Sequence, residues 1–267
     1  MNRVCLPEAN ERDVALSLTP AGSWQTQQPR GAKREPPGNS SDSLSIAFEP
    51  RTGARDGLMP PPDFSHHPIV HRILTRFTQP IMELGRRAQR VGQVDRGTLV
   101  LLAGCHEKAG CSTMALCCAA AAAALEPTAL VDADLSGRGL TQLLVGRPAV
   151  GWDDVVSSAS SPQQAVHHVD ARETLAFFPI RAAAANFPGL HGQSGLTGWL
   201  ARLREDYPLV FLDGGSIESG AARWAPWVDA ALIVCDAARS VDSEWTRVWD
   251  CLEEGGTHVL GIVETFV

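Results

Sequence analysis

The chain has 267 residues, with 23 basic and 30 acidic side chains and a formal net charge of −7. That length admits one α/β domain with a tail. The acidic balance gives nucleic-acid binding no electrostatic support, and no apolar run approaches the roughly 20 residues of a membrane span. The first residues, MNRVCLPEANERDV, lack the charged-then-apolar design of a secretion signal. Seven cysteines without framework spacing predict a cytoplasmic chain with reduced thiols.

Residues 1–64 are rich in Pro, Gly, Ser, Gln and Arg, as in QTQQPRGAKREPPGNSSDS. No apolar period persists there, so they read as a disordered leader ahead of a folded domain at 65–267. Residues 68–93 carry Ile69, Ile73, Phe77, Ile81 and Leu84 at helical spacing, with Arg72, Arg76, Arg86, Arg87 and Arg90 around the rest. This predicts an amphipathic helix that packs on its own sheet, kinked or split at Pro80. Strands are then expected at 99–103, 129–132, 175–178, 209–213, 230–234 and 259–263. Helices are expected at 112–125, 139–144, 196–205, 221–227 and 243–254. The strands are short apolar runs, as when both faces are covered. Their alternation with helices predicts an α/β fold with a doubly wound, mostly parallel sheet.

The segment TLVLLAGCHEKAGCSTMALCC, followed by TALVDADL, has the layout of a phosphate-binding loop. It runs from a buried strand through a tight turn into a helix of small residues, then a second strand ending in Asp132-Ala133-Asp134. Such a loop cradles phosphate with backbone N–H groups, a helix N-terminus and a lysine. A working loop ends in Gly-Lys-Ser/Thr, whereas here the run is Gly110-Cys111-Ser112-Thr113. Cys111 stands at the lysine position. Ser112 suits Mg²⁺ beside a triphosphate, and Lys108, three residues before Cys111, is the nearby amine available for redirection to the phosphates.

The spacing of Asp132 and Asp134 puts both on the same side of an extended chain, placed to handle Mg²⁺ or to activate an attacking hydroxyl. A second strand ends in Asp213, the usual place for a carboxylate that holds Mg²⁺ through water. Cys105, Cys111 and His106 give at most three of the four ligands a structural zinc needs. Cys105 and Cys111 could also flank the loop as a redox pair, since a helix N-terminus would lower the Cys111 pKa, but Cys111 reads foremost as an inert replacement. Gly214-Gly215 leaves open a close approach of the backbone to a ligand or a flexible turn. His167-His168 reads as solvated, and Trp245 with Trp249 as core or interface.

From about residue 69 to the end, the chain resembles the P-loop ATPases of the ParA/MinD class. Within that class it resembles the cytoplasmic domains of bacterial tyrosine kinases that regulate exopolysaccharide export. The loop Cys105 to Thr113 aligns with S-x-P-G-E-G-K-S-T, and Asp132-Ala133-Asp134-Leu135-Ser136 with D-A-D-L-R. LTQLLVGRPAVGWDDVV and DYPLVFLDGG match two further stretches of the family. The resemblance implies a P-loop NTPase-like fold, with ATP and Mg²⁺ as cofactors. It implies nucleotide contacts from Glu107, Lys108, Ala109, Gly110, Cys111, Ser112 and Thr113. It further implies a metal held at Ser112, Asp134 and Asp213, and catalysis by Asp132 and Asp134.

The departures fall on the chemistry: Cys111 for the lysine, Lys108 for the middle glycine, Ser136 for the arginine and Thr265 for the adenine-side asparagine. Tyr207 is the sole tyrosine, so the family's tyrosine-rich tail is not expected here. The reading is a degenerate, pseudoenzyme-like protein that serves as a regulatory or assembly partner in exopolysaccharide biosynthesis or export. Its partners would be a membrane adaptor of the export system or an active homologue, with homo-oligomers also open. It would be cytoplasmic, recruited to the inner face of the cell membrane. The alternative is an active ATPase or tyrosine kinase with a displaced loop lysine.

Overall fold

The computed structural model describes residues 17–20, 67–92, 96–137, 139–157, 160–169, 173–181, 194–239 and 242–265. Eight strands form one sheet: β1 (Ser17–Pro20), β2 (Thr98–Gly104), β3 (Thr128–Asp132), β4 (His167–His168), β5 (Leu175–Phe178), β6 (Leu209–Ser216), β7 (Ala230–Asp236) and β8 (His258–Thr265). Their order is β1-β8-β7-β2-β6-β3-β5-β4. The six inner strands are mutually parallel, and only the edges β1 and β4 run antiparallel to their neighbours. β2, β3, β6 and β7 are buried at every residue, as a sheet covered on both faces requires.

One face carries α1 (Pro68–Val91) and α2 (Cys111–Ala123). Most of α2 is buried, Met114 to Ala123 without a break. Its run of alanines lets it lie between the sheet and α1, and a helix apolar all round belongs in such a place. Helix α1 buries Val70, Ile73, Leu74, Ile81, Met82, Leu84 and Ala88, so it packs on its own domain as its periodicity predicts. Ile69 is the exception, 49% exposed, because Val70 and Leu74 take the inward positions of that turn. The kink falls at Phe77 (φ −124°, ψ 16°). Pro80 removes the N–H that would bond the carbonyl of Arg76 and crowds it.

The other face is covered by α4 (Trp152–Val156), α6 (Ser194–Asp206), a 3-10 helix (Ala221–Trp227) and α7 (Asp242–Glu254). Two further short helices, α3 (Gly139–Leu144) and α5 (Pro162–Ala165), lie in the connections. Trp152 stacks on Trp199 with ring centroids 5.1 Å apart, and Trp224 meets Trp152 edge-on at 5.7 Å. Trp245 and Trp249 are partly buried against this second core.

The parallel, doubly wound architecture agrees with the sequence reading. The segment 221–227 is a 3-10 helix instead of an α-helix; it contains Pro226, whose missing N–H cannot join an α-type ladder. Within the proposed leader, Ser17–Pro20 forms the edge strand beside β8. The rest of 1–64 lies outside the described residues. His167-His168 pairs with β5 at the sheet edge, with His168 exposed and His167 half-buried.

Candidate functional site

The site forms where β2, β3 and β6 end together at the carboxyl edge of the sheet. The loop between β2 and α2 keeps a glycine-type path with only one glycine in its curve. Gly110 is left-handed (φ 91°), and so is Lys108 (φ 65°). A side chain in that region costs roughly 1–2 kcal/mol, so Lys108 holds a shape that glycine would take freely. The loop is pinned at its entry, where Cys105 N–H donates to the Val234 carbonyl at 2.9 Å and Ile217 N–H donates to Gly104 at 2.9 Å.

Asp132 and Asp213 end up opposite each other in the register of β3 and β6. Both are fully buried. Asp132 accepts from Thr141 N–H at 2.7 Å and from Asp134 N–H at 3.3 Å. Its backbone carbonyl accepts from the Trp152 indole at 2.8 Å, and the Ala133 carbonyl from the Trp224 indole at 3.0 Å. Two tryptophans thus hold the turn that carries the acidic pair. β3 stops at Asp132, so Asp132 and Asp134 do not share the side of an extended strand. The chain turns there, leaving Asp132 beneath the site and Asp134 half-buried at its rim. Asp134 accepts from Ser136 N–H at 3.0 Å and from its hydroxyl at 2.8 Å.

Gly215 is required under Asp134. Its φ is +70°, and a Cβ there would lie 2.6 Å from the Asp134 carboxyl carbon. Of the two readings left open for Gly214-Gly215, the backbone does approach closely, but toward Asp134.

Burial raises Asp132 to about 7, helped by the facing Asp213. Burial likewise raises Asp213 to about 6, although the Ser112 hydroxyl and Cys111 thiol turned toward it hold it lower than burial alone would. Neither closes a full hydrogen bond to Asp213 Oδ2, which stays buried without a partner. Cys111 is raised well above the ordinary thiol value by burial first, then by the Asp213 and Asp134 carboxylates. This reverses the lowering expected from a helix N-terminus: desolvation and two negative neighbours outweigh the dipole. Cys111 is therefore a neutral thiol.

These shifts have a pH consequence. Both carboxyls are lifted above an unfolded value of about 3.9, so the folded state keeps protons that the unfolded chain has released. Their contribution is greatest below the unfolded pKa and is lost as pH rises toward 7. The urea midpoint is expected to fall between pH 5 and pH 8, and Asp132→Asn to flatten that fall and raise the midpoint at pH 8. A midpoint that climbs with pH and ignores the substitution would contradict this assignment.

A cleft of about 330 Å³ opens above these groups, lined by Glu107, Lys108, Ala109, Cys111, Ser112 and Asp134 among the expected residues. Gly110 shapes the turn, Thr113 lies on the same helical turn without lining the cleft, and Asp132 and Asp213 lie beneath it. The sequence reading gave no site role to Gly137, Ser216 and Ser219, which line the wall together with His106, Ser136 and Gly215. Ser216 and Ser219 fold onto each other through reciprocal N–H to hydroxyl bonds of 2.9 and 3.1 Å. Only the spacing S-x-x-S signalled them. Cys105, weighed as a partner for Cys111, is instead bonded to Cys235, whereas Cys111, Cys117, Cys118 and Cys251 are free thiols. Among the described residues no cluster of three or more His, Cys, Asp or Glu side chains could hold a metal, and no helix is long and apolar enough to cross a membrane.

No family model matches the chain, and no curated protein matches it in sequence. Solved structures do. The kinase domain of VpsO superposes with a TM-score of 0.64 at 21% identity, over 74% of this chain and 96% of that one. The BceF tyrosine kinase domain gives 0.59 at 17%, over 78% and 91%. The kinase domain of the Escherichia coli tyrosine kinase ETK gives 0.58 at 16%, over 70% and 74%. At such identities the likeness speaks for backbone architecture, and the chain has the P-loop NTPase-like fold of these tyrosine kinase domains.

Proposed function

We propose that this chain is a degenerate P-loop protein that has given up phosphoryl transfer. It acts as a regulatory or assembly partner in exopolysaccharide biosynthesis or export, on a membrane adaptor or an active homologue at the inner face of the membrane. One observation carries the reading: a neutral, buried Cys111 occupies the lysine position, with Asp213 and Asp134 close enough to raise its pKa. A triphosphate brings several negative charges, and a cradle that adds carboxylates without an inward cation repels it. The metal half of the site fits better. Asp213 Oδ2 is a buried oxygen without a partner, and Ser112 and Asp134 line the cleft nearby. Mg²⁺ would supply charge neutralisation there, but the phosphate half does not fit ATP. The fold likeness to tyrosine kinase domains and the motif resemblance support the pathway.

A turnover assay with the full chain, ATP and Mg²⁺ tests this. The expected release of phosphate matches the buffer blank, for the native chain and for Asp132→Asn alike. Turnover abolished by Asp132→Asn would overturn the reading. The alternative, an ATPase or kinase with a displaced lysine, draws on one feature: Lys108 is exposed and lines the cleft.

A further inference from the structure

We propose that Cys105 and Cys235 form a redox-operated clamp on the phosphate loop. Cys105 is the first residue of the loop after β2, and Cys235 is the next-to-last residue of the adjacent β7. They are 130 residues apart in sequence, yet their Cα atoms lie 5.3 Å apart and the sulfurs are bonded. That separation is normal for a disulfide. Both residues are only 2% exposed.

A second tie reinforces the first. The Thr265 hydroxyl at the end of β8 lies 2.7 Å from the Ala109 carbonyl and 3.0 Å from the Cys235 carbonyl. The loop is thus fastened to the end of β7 covalently at its start and through Thr265 near its far end. Lys108, left-handed at φ 65°, sits in the span between the two ties. Opening the covalent tie leaves the loop entry held by the Cys105 and Gly104 backbone hydrogen bonds alone, so that residue can leave its strained conformation.

The step balances with a dithiol reductant. One thiolate of the dithiol attacks a sulfur of the bond and forms a mixed disulfide, releasing the other cysteine. The second thiol of the reductant then resolves it. Two electrons and two protons pass to the protein as two cysteine thiols, and the reductant leaves as its own disulfide. Burial of both sulfurs makes the exchange depend on local opening of the loop. The clamp concerns loop geometry and stands whether or not nucleotide binds.

Two lysines, Lys33 and Lys108, are the only ones in the sequence, so a lysine-specific endoprotease reads the loop directly. The full chain, purified without reductant or oxidised with diamide, is expected to yield a peptide linking Cys105 to Cys235 by mass spectrometry. Reduction with dithiothreitol is expected to speed cleavage after Lys108 at least tenfold while helical circular dichroism is unchanged. Cleavage of an added short lysine-containing peptide serves as the internal measure of protease activity. Cys235→Ala should be cut at the fast rate with or without reductant, and Cys251→Ser should behave as the native chain. If Cys235→Ala does not fold, the native chain with and without reductant still decides. Absence of the linked peptide after diamide, or a Lys108 rate indifferent to reduction, would overturn the clamp.

Discussion

Replacing Cys111 by lysine is expected to raise the affinity for Mg·ATP at least tenfold. The position opens α2 and lines the cleft, so a longer side chain can extend from it toward bound phosphate. In the native chain the same position holds an uncharged thiol against two carboxylates. A hydrogen bond to a charged group is worth roughly 1.5–3 kcal/mol, which corresponds to about ten- to a hundredfold in affinity. Lys108→Gly, added to Cys111→Lys, should tighten binding further. It releases the left-handed strain and removes a side chain from a loop whose backbone N–H groups must face the anion. Calorimetric titration of the three proteins checks the series. A folded Cys111→Lys protein that binds no more tightly than the native chain would contradict the role given to this position.

Trp152→Ala is expected to cost about 3–5 kcal/mol of stability, the usual range for a large aromatic removed from a core. Trp152 is fully buried and stacked on Trp199. Its indole also donates to the Asp132 carbonyl, so the change loosens the turn that carries Asp132 and Asp134. Trp152→Phe separates the two effects. It keeps an aromatic ring but leaves that carbonyl without its indole donor, a loss of about 1–3 kcal/mol. Urea unfolding at fixed pH measures both. A Trp152→Ala protein within about 1 kcal/mol of the native chain would mean the cluster is not a keystone of this face.

The frame of the site was readable because its signals are local. Apolar runs of four or five residues, a loop ending in Gly110 and carboxylates at Asp132 and Asp213 each occupy a short stretch of chain. What escaped depends on residues distant in sequence or on burial. The Trp152 indole reaches back 20 residues to Asp132 and the Trp224 indole 91 residues to Ala133. The Cys105–Cys235 bond spans 130. No period in the sequence encodes such meetings. Ser17–Pro20 is too short to show strand alternation and gains its place only from the open edge of β8. The sign of the Cys111 shift was misread because the dipole of a helix is visible in sequence, whereas the desolvation that outweighs it is not.

Calorimetric titration of the native chain with Mg·ATP at pH 7.5, beside Lys108→Ala, tests the central claim most directly. The account predicts a dissociation constant weaker than about 1 mM for both proteins, a free energy short of about −4 kcal/mol. Low-micromolar binding by the native chain, lost in Lys108→Ala, would show that another amine has replaced the missing lysine and would contradict it.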